Sequence, residues 1–205
     1  MENMKKTLSL ALAASLSLCL LAGCSGEKDP GPSANASQPE SASASGQGAA
    51  ALGSLASFSA ATLDGSIFSQ DDIRAKDVTV VNFWSTTCPP CIAELPDLAE
   101  FSDSLPGSVQ VITVCLDGYG NEQTVTDIVK QTGFTGAVLL TLDGDLLELC
   151  KNLMYTPTTV FADSAGQLIG EPIIGTQKDL SKSFLEAVNQ VLAAGGKDPV
   201  SLTGR

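Results

Sequence analysis

Apolar and polar positions alternate between two rhythms along the middle of the chain. Val78-Thr79-Val80-Val81-Asn82-Phe83 and Val109 to Cys115 are almost continuously apolar, the pattern of strands buried on both faces. Between them a helical pattern begins after two prolines and runs to about Leu105, with Pro96 inside it, where the missing N–H predicts a kink. Further on, the pattern predicts a helix near residues 123–131, a short strand over 137–140 and a short helix over 145–151. Phe58 to Asp72, turning at Leu63-Asp64-Gly65-Ser66, reads as a hairpin. Thr158 to Ala162 and Leu168 to Ile174 read as an antiparallel pair joined by Asp163-Ser164-Ala165-Gly166. The last helix places Leu180, Phe184, Val188 and Leu192 on one face, which makes them core. This succession predicts an α/β domain, a central mixed sheet with helices on both faces.

Before Gly53 there is almost nothing to bury. Lys5 and Lys6 precede an apolar segment from Leu8 to Leu20, which is too short for a transmembrane helix and reads as an export signal. Residues 25–53 are mostly Ser, Ala, Gly, Pro and Gln, the composition of a flexible tether whose r.m.s. span is on the order of 30 Å. The organisation is therefore a signal over 1–23, a linker over 24–53, one folded domain over 54–195 and a C-terminal tail over 196–205.

The chain carries a formal charge of −12, and loss of Glu2, Lys5 and Lys6 with the signal removes a net +1 to leave −13. Such acidity argues against nucleic acid or anionic lipid as a direct partner and fits a solvated surface. There is no histidine, so Ser-His-Asp and Cys-His catalysis, His-ligated zinc hydrolases and imidazole proton shuttles are excluded. Thiol chemistry remains.

That chemistry has an obvious place. Cys88-Pro89-Pro90-Cys91 directly follows the first buried strand and opens a helix. Two prolines are tolerated only in a first helical turn, so Cys88 falls at the N-cap and Cys91 one turn in. The N–H groups of Cys91 and Ile92 are the nearest free donors to a thiolate at Cys88, and the helix N-terminus lowers its pKa. Cys88 is then the nucleophile, and the deeper Cys91 resolves the mixed disulfide. The alternative, half of a structural zinc site, lacks two further ligands at similar spacing, so no metal is expected. A Cu(I)-binding chaperone using the same two sulfurs is the competing non-catalytic reading.

Trp84, Cys88-Pro89-Pro90-Cys91, Glu94, Pro96 and Tyr155-Thr156-Pro157-Thr158-Thr159-Val160-Phe161 together resemble the thioredoxin fold, and within it the TlpA/ResA branch of extracytoplasmic thiol-disulfide oxidoreductases. The resemblance covers about Phe58 to Leu192 and implies an N-terminal β-hairpin extension and a βα insertion. It implies a cis Thr156-Pro157 bond facing the disulfide, where the backbone of Thr156 pairs with an extended substrate. Leu21-Ala22-Gly23-Cys24 resembles the bacterial lipobox, which makes Cys24 the lipidated first residue and places the domain outside the cytoplasm on a membrane anchor. The implied activity is reduction of disulfides in exported proteins, apocytochrome c among them, with a CcdA/DsbD-like membrane protein as electron donor and no cofactor beyond the redox-active disulfide. A thiol oxidant promoting disulfide formation is the alternative direction. A peroxiredoxin pattern would require Pro at Val81 and Thr at Ser85.

Two departures from the family carry weight. Asn82 stands where thioredoxin has a buried Asp, and Asn cannot accept the proton of Cys91, so Glu94, three residues further along the same helical face, is the expected base. Thr87 replaces the Trp usual before the first Cys. Cys115 and Cys150 are left over; buried small hydrophobes are the commoner explanation, a second disulfide the alternative. Cys19 leaves with the signal.

Overall fold

A computed structural model describes residues 53–203; the signal, Cys24 and the tether lie outside the described residues. Two strands, β1 (Ser59–Ala61) and β2 (Ile67–Ser69), form the expected antiparallel hairpin, with Ala60 opposite Phe68. A short helix α1 (Gln70–Arg74) follows at once. The sequence reading carried the hairpin on to Asp72, but Ser69 and Asp72 cap each other's backbone in a reciprocal pair and turn the chain into a helical turn.

The main sheet has five strands in the order β5-β4-β3-β6-β7: β3 (Val78–Trp84), β4 (Val109–Cys115), β5 (Val138–Leu139), β6 (Thr158–Asp163) and β7 (Ile173–Ile174). β3 runs parallel to β4, and β4 to β5, while β6 lies antiparallel to both β3 and β7. The sheet is therefore mixed, and every residue of the central strand β3 is buried. β7 is shorter than the expected Leu168–Ile174 run. Leu168 bridges Ala162, whereas Ile173 and Ile174 pair with Thr159 and Thr158, so the register slips by two residues through Gly170 (φ +81°) and Pro172.

Side-chain alternation divides the interior into two cores. Val78, Val80, Trp84, Val111, Cys115 and Phe161 face one side, under α2 (Pro89–Ser104), α3 (Glu122–Thr132) and α5 (Leu180–Ala194). Val81, Phe83, Ile112, Val114, Val160 and Ala162 face the other, covered by the hairpin, by Ile73 of α1, and by Leu146 and Leu149 of α4 (Gly144–Lys151). The expected helices on both faces are present, and β5 with α4 supplies the βα insertion between α3 and β6. α2 runs as one element through Pro96, whose missing N–H leaves the Ile92 carbonyl without its usual intrahelical donor.

Both ends of the described chain are docked. Leu55 N–H donates to the Gly166 carbonyl at 2.8 Å, and a Cβ at Gly166 would sit 2.6 Å from the Leu55 carbonyl group. Beyond α5, Asn189 and Val200 exchange two hydrogen bonds, Lys197 pairs with Asp77, and Thr203 N–H donates to the Ser104 carbonyl at the far end of α2.

Candidate active site

The site is assembled where β3 gives way to α2. Trp84, the last residue of β3, is fully buried with the two cysteines in the helix-side core, and its Nε1 has no hydrogen-bond partner among the described residues. The parallel pairing of Trp84 with Cys115 continues as Leu116 N–H donating to the Trp84 carbonyl at 2.9 Å. This brings Asp117, just past β4, against the loop before the nucleophile. Its carboxylate accepts from the Thr86 N–H (2.8 Å), the Thr86 hydroxyl (2.6 Å) and the Cys115 thiol (3.3 Å). Burial acts to raise the Asp117 pKa, but the bonds from Thr86 outweigh it and hold the carboxyl below the usual carboxylate range.

Cys88 is the N-cap of α2 in extended backbone (φ −107°, ψ 92°), followed by Pro89 and Pro90 as the first helical residues. The Cys91 N–H donates to the Cys88 Sγ at 3.3 Å, one of the two donors the sequence offered. The other is already engaged: Ile92 N–H makes the first intrahelical bond, to the Cys88 carbonyl at 3.1 Å. Cys88 and Cys91 are joined as a disulfide with their Cα atoms 5.3 Å apart. Cys88 is 8% exposed and Cys91 1%, so an incoming thiol or disulfide meets Cys88 first.

Glu94 is one turn beyond Cys91 and only 6% exposed. Its Oε1 accepts from the Asn82 side-chain amide at 3.1 Å, and that amide also donates to the Thr159 hydroxyl at 3.0 Å. Oε2 has no well-aligned hydrogen-bond donor among the described residues. Burial pushes the carboxyl up to about 7, with Asp97 nearby adding to the shift and the bonds from Asn82 and the Gln177 backbone opposing it.

Across from the helix, the Thr156–Pro157 bond is cis and the Thr156 carbonyl oxygen lies 3.7 Å from the Cys88 Sγ. The loop is fixed by Thr158 Oγ1 donating to the Tyr155 carbonyl and Gly175 N–H donating to the Pro157 carbonyl, each at 2.8 Å. Trp84, Cys88, Pro89, Pro90, Cys91, Glu94, Thr156 and Pro157 thus gather at one end of the sheet.

The second disulfide does not form. Cys115 and Cys150 are free thiols on opposite sheet faces, Cys115 in the helix-side core and Cys150 packed against the other. Burial raises both to about 12, with Asp117 adding to the shift at Cys115.

The Redoxin family model matches residues 41–183, most of the chain. The protein belongs to the Redoxin family. Within it, the chain is 31% identical over 115 residues to the sporulation thiol-disulfide oxidoreductase A of Bacillus subtilis (strain 168), spanning 55% of this chain and 68% of that protein. It is 30% identical over 107 residues to the thiol-disulfide oxidoreductase ResA of Oceanobacillus iheyensis, spanning 52% of this chain and 54% of that one. The crystal structure of StoA from Bacillus subtilis matches with a TM-score of 0.50 at 29% identity, covering 62% of this chain and 96% of that chain. This Redoxin protein is a thioredoxin-like thiol-disulfide oxidoreductase of ResA/StoA type, with Cys88 and Cys91 as its CxxC pair.

Sequence reasoning treated Asn82 only as a group unable to take a proton, whereas it is the donor that orients Glu94. Asp117 was missed entirely, since one carboxylate after a strand forms no motif. The length match between β3 and β4, which sets Cys115 beside Trp84, is the signal that could have pointed to it.

Proposed function

We propose that the protein is a membrane-tethered, extracytoplasmic reductase of disulfides in exported proteins, apocytochrome c being one candidate class. Its redox group is the Cys88–Cys91 pair itself, with no further cofactor. The observation that supports the exchange chemistry is the buried Glu94 behind Cys91, while the reductive direction follows the resemblance to the TlpA/ResA branch. In the reduced protein the Cys88 thiolate, stabilised by the Cys91 N–H and the end of α2, attacks one sulfur of a substrate disulfide. A Cys88–substrate disulfide forms and one substrate thiolate leaves. Glu94, which titrates near neutrality, takes the proton of the Cys91 thiol. The Cys91 thiolate attacks the Cys88 sulfur, the second substrate thiolate leaves, and the pair is oxidised by two electrons while the substrate is reduced by two.

A dithiol donor of the CcdA/DsbD-like class resets the pair by the reverse exchange. Cys24 provides the lipid anchor and the linker over 24–53 the reach; the expectation rests on the lipobox resemblance and the composition of that segment. Equilibration of the pair against glutathione or dithiothreitol tests the direction. A potential near or below about −270 mV supports the reductase, and one near about −120 mV makes the protein an oxidant and overturns the reading. Cys91→Ser, which lacks the resolving sulfur, is expected to accumulate the Cys88–substrate disulfide, detected by mass spectrometry under non-reducing conditions.

A further inference from the structure

Resolution of the mixed disulfide leaves one proton to be disposed of. Glu94 takes it from the Cys91 thiol, yet Glu94 is only 6% exposed, and a base that cannot return its proton to solvent acts only once. On the sheet side Asn82 and Thr159 close it in, and its helix neighbours Leu95 and Leu98 are buried apolar groups. Toward the surface stand the Gln177 backbone, which donates toward the carboxyl, and Asp97, three residues further along α2.

We propose that Asp97 carries the proton between Glu94 and solvent, receiving it from the Glu94 carboxyl and releasing it into the cleft between α2 and the start of α5. The inference rests on the role given to Glu94 above and adds the exit route. Asp97 touches neither sulfur, so it acts only through Glu94.

Spacing and burial lay out the route. Cys91, Glu94 and Asp97 follow one another at intervals of three, which on a helix sets successive Cβ atoms about 5–6 Å apart. Cys91 is 1% exposed, Glu94 6%, and Asp97 lies on the surface, so the three lead outward from the core. Asp97 is near enough for its charge to act on Glu94, where it adds to the upward shift.

The cleft beyond has a volume of about 400 Å³ and is lined by Asp97, Glu100, Lys178, Asp179, Leu180 and Ser181. Asp97, Glu100, Lys178 and Asp179 are all exposed, so water reaches Asp97. None of the other charged groups takes its place. Asp179 is the N-cap of α5 and accepts from the Lys182 N–H at 3.0 Å, and the Lys178 ammonium has no site for a further proton. Glu100 is six residues past Glu94, about 9 Å along the helix axis. Asp97 enters no ion pair among the described residues.

The steps balance without electrons. The Glu94 carboxylate accepts the Cys91 S–H proton and leaves the thiolate. Protonated Glu94 passes the proton to the Asp97 carboxylate, which releases it to water, and both carboxylates are regenerated. When the pair is reduced again, the same path returns a proton to Cys91.

The test follows single turnovers of the reduced protein with a disulfide peptide, at concentrations where the rate no longer rises and resolution limits it. Trp84, the chain's one tryptophan, packs with both cysteines and reports their oxidation by stopped-flow fluorescence. In dilute buffer at pH 8, Asp97→Asn is expected to resolve about tenfold more slowly than wild type. Added imidazole, a diffusible proton carrier, is expected to bring that variant back to within about twofold of wild type, and Asp97→Glu is expected to stay in the same range without it.

An Asp97→Asn rate equal to that of wild type overturns the relay. So does a slowing that imidazole leaves in place, which is a structural effect, and so does a change confined to a lower kinetic pKa, which is loss of the Asp97 charge alone. Glu94→Gln separates the two levels. If it resolves as fast as wild type, the base role of Glu94 fails and the relay with it; if it slows and Asp97→Asn does not, only the relay fails.

Discussion

Glu94→Gln perturbs one charge and little else. Gln keeps an oxygen able to accept from Asn82 and nearly the same volume, but it never ionises. In the folded protein burial raises the Glu94 carboxyl from an ordinary 4.5 to about 7. Below pH 4.5 the group is protonated whether the chain is folded or not, and it contributes no pH dependence. Between 4.5 and 7 the unfolded chain releases a proton that the folded chain retains, so stability falls as pH rises; above 7 the loss is complete.

Raising the carboxyl from 4.5 to about 7 corresponds to about 3 kcal/mol, or about 10 °C in Tm for a domain of this size. Urea unfolding of oxidised wild type and Glu94→Gln at pH 4, 6 and 8 measures it. Comparing the two proteins cancels the carboxylates they share, and the thiols at about 12 do not titrate in this range. The variant's advantage over wild type is expected to grow by about 3 kcal/mol from pH 4 to pH 8. A difference that stays flat across that range would refute the burial argument, whatever its absolute value. The same variant is expected to resolve the mixed disulfide more slowly and to lose the kinetic pKa near 7.

Phe184 is wedged edge-on between Phe101 and Phe161, with ring centroids 5.7 and 5.6 Å away, so Phe184→Ala is expected to cost about 3–5 kcal/mol, read as a lowered urea midpoint. At pH 8 the native oxidised protein is expected to leave Cys115 unlabelled by iodoacetamide and to label the half-buried Cys150 slowly, by peptide mapping; a crosslinked Cys115–Cys150 peptide would contradict their placement on opposite faces.

The parts of the fold that were legible in the sequence are those where burial is continuous or periodic. Val109–Cys115 matches the strand read from its apolar run, and Leu180, Phe184, Val188 and Leu192 do share a buried face. α1 was not legible because five residues with one buried side chain carry no period, although Ser69 and Asp72 did spell a capping box. β7 was overestimated because Gly170 and Pro172 interrupt pairing inside an apolar run. At the site, the Cys-Pro-Pro-Cys cap could be argued from backbone constraints alone. The Asn82–Glu94 bond and the Asp117 clamp on Thr86 could not, because each joins residues 12 or more positions apart on different elements.

The polarity of the strands gives the domain a front and a back. β3 and β4 run toward the sulfurs and β6 runs away from them, so Gly166, where Leu55 docks, and Ser104, where Thr203 docks, both belong to the pole remote from Cys88. The polypeptide comes in and goes out through the back. A junction made before Gly53 or after Thr203 therefore meets the domain at the pole opposite the cysteines, and the junction itself covers none of the reactive end.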